Sequence, residues 1–172
     1  MFNKIFNSVW TLLFVMCVLF ANSMHSQIID DQNKELKLQT LLGKEAVDVI
    51  YQPDSVTVIP VKFSAQSPAY ELLSSGNTLS CGMQKELQDL LLDETHYVHE
   101  LTKSAVFLPS LAFKFIKNNE TKALILISLS SNQLKIINGE NSLILDYDPA
   151  KEIFNSYFQK IKINYQFNQL GS

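Results

Sequence analysis

Arginine is missing from this 172-residue chain: all fourteen basic residues are lysines, set against seventeen Asp and Glu, for a formal net charge of −3. Without guanidinium forks the chain lacks the usual tool for bidentate recognition of phosphate or carboxylate. Mild acidity added to that absence argues against nucleic acid as a partner. Cysteine is nearly missing too, with only Cys17 and Cys81. The five glycines stand singly, so there is no Gly-rich phosphate loop and no Gly-x-Ser-x-Gly turn to present a nucleophilic serine. Internal repeats and low-complexity tracts are absent as well. What is present is 47% hydrophobic and 18% charged. That is the composition of an ordinary globular domain, not of a disordered, collagen-like or disulfide-dense chain.

Residues 1–26 read as a secretory signal peptide. Lys4 supplies the positive start, and the apolar run from Val9 to Ala21 is shorter than the ~20 residues a membrane-spanning helix needs. Ala21-Asn22-Ser23 offers one cleavage point after Ser23, and Ser26 before Gln27 offers a second. Retention of the segment as an anchor is the alternative. Met16 stands where a lipidated Cys17 would require a small residue. The expected location is therefore secreted or periplasmic, with no membrane attachment after cleavage. Cleavage removes Lys4 and no acid, and it leaves Cys81 as the sole thiol, so no intramolecular disulfide can form. Residues 27–172 are enough for one domain with a self-sufficient core.

The mature chain reads as α+β: an antiparallel β-meander with a β-hairpin, packed against two or three helices including a C-terminal one. Leu36, Leu38, Leu41 and Leu42 suggest a short helix before Gly43. The β-rich runs 47–51 and 56–61, separated by a Pro-Asp turn, are expected to form the hairpin, with Pro60 at an edge or end. Residues 64–80 read as a long loop with a short strand near Tyr70–Leu73. Met83, Leu87, Leu90 and Leu91 predict a half-buried helix. Beyond Pro109, alternation over Leu111, Phe113 and Phe115 gives a strand, and Ala123–Ile127 is apolar on both faces, as in mid-sheet. Two further strands meet at Asn138-Gly139-Glu140-Asn141. Asp148 is expected to cap a closing helix with Pro149 at its first position, and Ile153, Phe154, Tyr157, Phe158 and Ile161 form its apolar stripe.

Few residues suggest chemistry. Cys81 stands at a predicted helix start, where a thiolate is favoured, and His96 or His99 would be the base of a thiol-dependent hydrolase or redox enzyme. A lone cysteine is more simply a packing residue, and Cys81 is expected to be dispensable and at least partly buried. His96 and His99, with Asp93 or Glu100, have the i, i+3 spacing of a helical metal pair, but not the zinc-protease pattern. No metal or cofactor is expected. Ser128, Ser130 and Ser131 read as strand-end hydroxyls that satisfy backbone. Asn119-Glu120-Thr121 is a glycosylation sequon that matters only in a eukaryotic secretory pathway, and the Lys- and Asn-rich composition looks bacterial.

Leu91, Leu92, Tyr97, Lys103, Phe107, Pro109, the strand Leu111–Phe115 and the stretch Leu124–Asn132 together carry a resemblance. The segment from Leu87 to Pro149 resembles a group of small uncharacterised bacterial exported α+β proteins. Many of those carry cysteines where this chain has Ala105, Ser128 and Ser131. The resemblance implies a fold and brings no activity. The expected function is that of a non-enzymatic binding or interaction domain, monomeric or weakly oligomeric, with a protein or small-molecule partner held at a sheet edge or at the 64–80 loop. The alternatives are the thiol enzyme and a carrier whose eleven Phe and many Leu would line a cavity for a small apolar ligand.

Overall fold

The structure, a computed structural model, describes Met16 and residues 32–64, 70–98 and 103–167. The chain divides into two compact units, Met1–Lys37 and Leu38–Ser172. In the first unit the described residues, Met16 and 32–37, are helical. The expected signal peptide, Met16 apart, lies outside the described residues. Among the described residues no helix is long and apolar enough to cross a membrane.

The second unit is α+β. After helical residues 38–42 come α1 (Lys44–Tyr51), β1 (Ser55–Phe63), β2 (Tyr70–Leu72), β3 (Asn77–Thr78) and α2 (Cys81–Leu91). A 3-10 turn (Glu94–His96) follows, then β4 (Leu111–Lys117), β5 (Glu120–Ser128), β6 (Gln133–Asn138) and β7 (Asn141–Asp146). A second 3-10 turn (Asp148–Ala150) leads into α3 (Lys151–Asn164). The strands form one antiparallel sheet in the order β2-β1-β4-β5-β6-β7, and β3 also pairs with β1.

Strand alternation divides the sheet into two unlike faces. On one, Val58, Phe113, Ile125, Ile136 and Leu143 form a row across β1, β4, β5, β6 and β7, and Pro60, Leu111, Ile127, Leu134 and Leu145 form the next. Helices α1, α2 and α3 cover this face, through Val47 and Ile50, Leu87 and Leu91, and Phe154 and Phe158 in one core cluster. The Tyr147 and Phe154 rings lie 4.6 Å apart, and those of Phe113 and Phe158 lie 6.1 Å apart. The opposite face carries Thr57, Lys114, Leu124, Ile137 and Ser142 in one row and Ile59, Ala112, Leu126, Lys135 and Ile144 in the next. Its core is a smaller cluster of Ile59, Val61, Ala112 and Leu126, flanked by Tyr70, Leu72 and Phe107.

Several expectations are corrected. Residues 47–51 are helical, not a hairpin strand: Ala46, Val47 and Ile50 are buried on one side of α1 while Asp48 and Tyr51 are exposed. The β-branched run was compatible with both periods, and packing on the sheet selects the helix. The α1 C-terminus is then closed by Gln88 Nε2, which donates to Ile50 O and Tyr51 O at 2.7 and 2.9 Å. The partners of β1 are instead β2, β3 and β4. Val61 N–H donates to Ser110 O on the β4 side, so Pro60 turns its missing donor to the outer edge. That position is the step between the segments paired with β3 and with β2. The short β3 was not anticipated. It lies close to β1 because Gly76, at φ 88°, needs no side chain: a Cβ there would stand 2.5 Å from Ile59 Cγ1.

At the closing helix, Pro149 falls in a 3-10 turn, and Asp148 caps nothing there. Its carboxylate accepts from Asn132 Nδ2 at 2.9 Å and from Lys103 Nζ at 2.6 Å instead. Phe154, Tyr157, Phe158 and Ile161 are buried as expected, whereas Ile153 is 54% exposed and outside the stripe.

Candidate functional site

The structure separates the thiol candidates. Cys81 is exposed at the first turn of α2, whose N-terminus is capped by Ser80 Oγ accepting from Met83 N–H. The expectation that the thiol is partly buried therefore fails, because α2 docks through Leu87, Leu90 and Leu91 and turns Cys81 to solvent. His96 is at the other end of the same helix, where Nδ1–H donates to Leu90 O at 2.9 Å. Between residues 81 and 90 the helix rises about 13 Å, so the two do not form a dyad. The remaining nitrogen of His96 lies 3.6 Å from Asp93 Oδ2. Tyr97 O–H also donates to the end of α2, to Leu91 O at 2.9 Å. His96 thus serves to satisfy carbonyls that a helix end leaves open. His99 and Glu100 lie outside the described residues. Among the described residues no three His, Cys, Asp or Glu side chains are grouped to hold a metal.

A different constellation forms on the second sheet face. Ser128, Gln133 and Asp146 continue the cross-strand rows at the ends of β5, β6 and β7, and exposure of the three residues is 0%, 1% and 2%. Such polar side chains are buried only with partners. Here the partners are backbone groups of residues 103–110, a strap without regular secondary structure. Lys103 N–H donates to Asp146 Oδ2 at 2.7 Å, and Gln133 Nε2 donates to Lys103 O at 3.2 Å. Leu108 N–H donates to Ser128 Oγ at 3.3 Å, and Ser110 N–H to Ile127 O at 2.8 Å. Ser131 Oγ supports Ser128 Oγ at 2.7 Å.

The strap is therefore held from beneath by side chains of three successive strands. Phe107 points down to the smaller core, while Val106 and Leu108 are 74% and 38% exposed. The Lys103 ammonium pairs with Asp148, whose carboxyl is held below its usual range by that hydrogen bond first and by the one from Asn132 second. Tyr147 O–H donates to Ser128 O at 3.3 Å, and burial pushes this phenol well above its ordinary value. It is a structural donor, not a latent phenolate.

The serines were legible as strand-end hydroxyls. Gln133 and Asp146 were not, since each is one of three polar residues in its six-residue strand, and only cross-strand register places them side by side. Two hollows lie elsewhere. One of about 360 Å³ is bounded by Gly43–Ala46 and the β6–β7 hairpin, and one of about 430 Å³ by α2, His96 and Ile153. Neither contains Cys81 or the strap. In comparisons with known proteins, no family model, no curated protein and no solved structure matches the chain.

Proposed function

We propose that the chain is an exported bacterial protein that acts by contact, a non-enzymatic binding domain whose recognition element is the strap. The observation that supports this most is the strap itself. Irregular backbone is hydrogen-bonded from below to Ser128, Gln133 and Asp146 while it turns Val106 and Leu108 outward. Binding residues concentrate on irregular segments that a rigid scaffold positions, and exposed apolar side chains on such a segment favour a protein partner. The likeness to exported bacterial α+β proteins over Leu87–Pro149 belongs to the same proposal. The thiol-enzyme reading has less support, with Cys81 and His96 at opposite ends of α2. The apolar-carrier reading is also weaker, because the two hollows are rimmed by Lys44 and Glu45 in one case and by Lys85, Glu86 and Asp89 in the other.

Two measurements test the proposal. Intact mass of protein recovered from the periplasm or medium should show loss of ~23–26 residues; full-length protein in the membrane fraction would refute export. A photo-crosslinking residue at Val106 should yield a protein adduct in the producing cell, while the same residue at exposed Glu152 on α3 should not. Equal adducts at both positions, or none at Val106, would refute the strap as the contact element.

A further inference from the structure

Beneath the strap two buried acceptors are left without a donor. Gln133 and Asp146 are directly opposed on β6 and β7. Asp146 O accepts from Val98 N–H, away from β6, so the two residues form a non-hydrogen-bonded pair, the kind in which side chains stand closest. Both side chains grip the backbone of Lys103: Gln133 Nε2 donates to its O, and Asp146 Oδ2 accepts from its N–H. Their other oxygens, Gln133 Oε1 and Asp146 Oδ1, are buried and have no hydrogen-bond partner among the described residues. Turning the Gln133 amide over only moves the deficit, because Oε1 would then meet Lys103 O. Both oxygens are closed to solvent, and neither of the two hollows reaches them. Whatever joins them takes almost no room, and a proton takes none.

We propose that Asp146 is held as the neutral acid and that its Oδ1–H donates to Gln133 Oε1, an acid–amide pair that latches the strap and opens when the proton leaves. A protonated carboxyl offers one donor and keeps an acceptor. Here Oδ1 donates to Gln133, Gln133 Nε2 donates to Lys103 O, and Lys103 N–H donates to Asp146 Oδ2, so the bonds close a ring through the backbone of Lys103. The ionised form would leave a bare carboxylate oxygen in a closed site beside a bare amide oxygen, and burial without donors favours the neutral carboxyl. The charged groups around Asp146 supply no counter-ion. Lys103 on the strap and Asp148 on the turn after β7 pair with each other. Lys135 on β6 is on the same face one row further along, but Asp146 Oδ1 takes no bond from it. From β5 comes the Ser128 hydroxyl, engaged by Leu108 N–H and Ser131, and Val98 enters through its backbone N–H. His99 and Glu100 lie outside the described residues. The folded chain thus keeps a proton that the unfolded chain gives up above the ordinary carboxylate range, so the latch is complete in acid and weakens as pH rises. The latch stands whether or not the strap binds a partner, so each proposal can fail alone.

The test compares denaturant unfolding of the full wild-type chain with that of Asp146→Asn, whose amide mimics the acid at every pH: Oδ1 accepts from Lys103 N–H and Nδ2 donates to Gln133 Oε1. Relative to that variant, the wild-type unfolding constant should grow about tenfold per pH unit between about pH 5 and 7, the slope of one proton released. A ratio that stays constant over this range would mean that Asp146 is ionised in the folded chain, and would overturn the proposal. Carbon NMR of the wild type labelled at the aspartate carboxyls needs no variant to fold. At neutral pH one carboxyl should keep the resonance position of a protonated acid. All aspartate carboxyls at the ionised position, or a crystal structure with a water bonded to both oxygens, would equally overturn it.

Discussion

The two faces of the sheet are built by different means. On the helix-covered face, the Val58-to-Leu143 and Pro60-to-Leu145 rows are apolar from β1 to β7, and the aromatic rings of α3 interlock with them. On the strap-covered face, the rows mix Lys114 and Lys135 with aliphatic residues, and end in Ser128, Gln133 and Asp146. The first face is held by area and packing, which are non-directional and cooperative. The second is held by a few directional bonds to irregular backbone, each of which can open without unmaking the core. A scaffold joined to a separately held segment is the arrangement a contact protein needs.

Substitutions should separate the two faces. The largest effect belongs to Phe158→Ala, which removes a ring fully buried among Phe113, Tyr147 and Tyr157. It should cost ~3–5 kcal/mol in denaturant unfolding. Leu126→Ala on the strap face should cost less, about 2–3 kcal/mol, the low end for a buried leucine, because its small cluster is bounded by a strap that can settle. Equal costs would mean that the faces are not energetically distinct.

The fold was legible where one period dominated. Phe154, Tyr157, Phe158 and Ile161 could form one helical stripe and no strand, and Leu111, Phe113 and Phe115 could form one strand face and no helix. Residues 47–51 suited both periods, so only docking through Val47 and Ile50 decides them. The candidate site was less legible, for a related reason. Gln133 and Asp146 are thirteen positions apart in the chain and become neighbours through the β6–β7 register, and their partner Lys103 lies on a segment with no period at all. For Cys81, expected to be a dispensable and partly buried residue, it is the burial that fails: the thiol is exposed at the helix start, and its base candidate His96 bonds Leu90 O at the other end.

Smaller effects sharpen the contrast. Ser128→Ala should cost about 1–3 kcal/mol, since it strands Leu108 N–H and removes the acceptor of Ser131. Its signature should be faster amide exchange at Leu108 through a local opening, with Phe113 still exchanging only through global unfolding and accelerated by no more than the lost global stability. Asp148→Asn should cost under ~1 kcal/mol, as expected of a partly exposed pair. Because the folded state lowers the Asp148 pKa from its ordinary 3.8, its contribution is complete above that value and is lost as pH falls through the lower folded value. Exchange at Lys103 should therefore accelerate below about pH 4 in the wild type and not in Asp148→Asn. Smallest of all, Cys81→Ser should leave the unfolding midpoint unchanged, and the exposed thiol should react with a labelling reagent in the native protein; a shifted midpoint would show that Cys81 packs after all.

Native-state hydrogen exchange across the strap and the central strands tests the division most directly. The amides of Lys103 and Leu108 should exchange through a local opening that is insensitive to low denaturant, while Phe113 and Ile125 exchange only through global unfolding. If Lys103 and Leu108 instead share the protection and denaturant dependence of Phe113 and Ile125, the strap is part of the cooperative core and not a segment held apart from it.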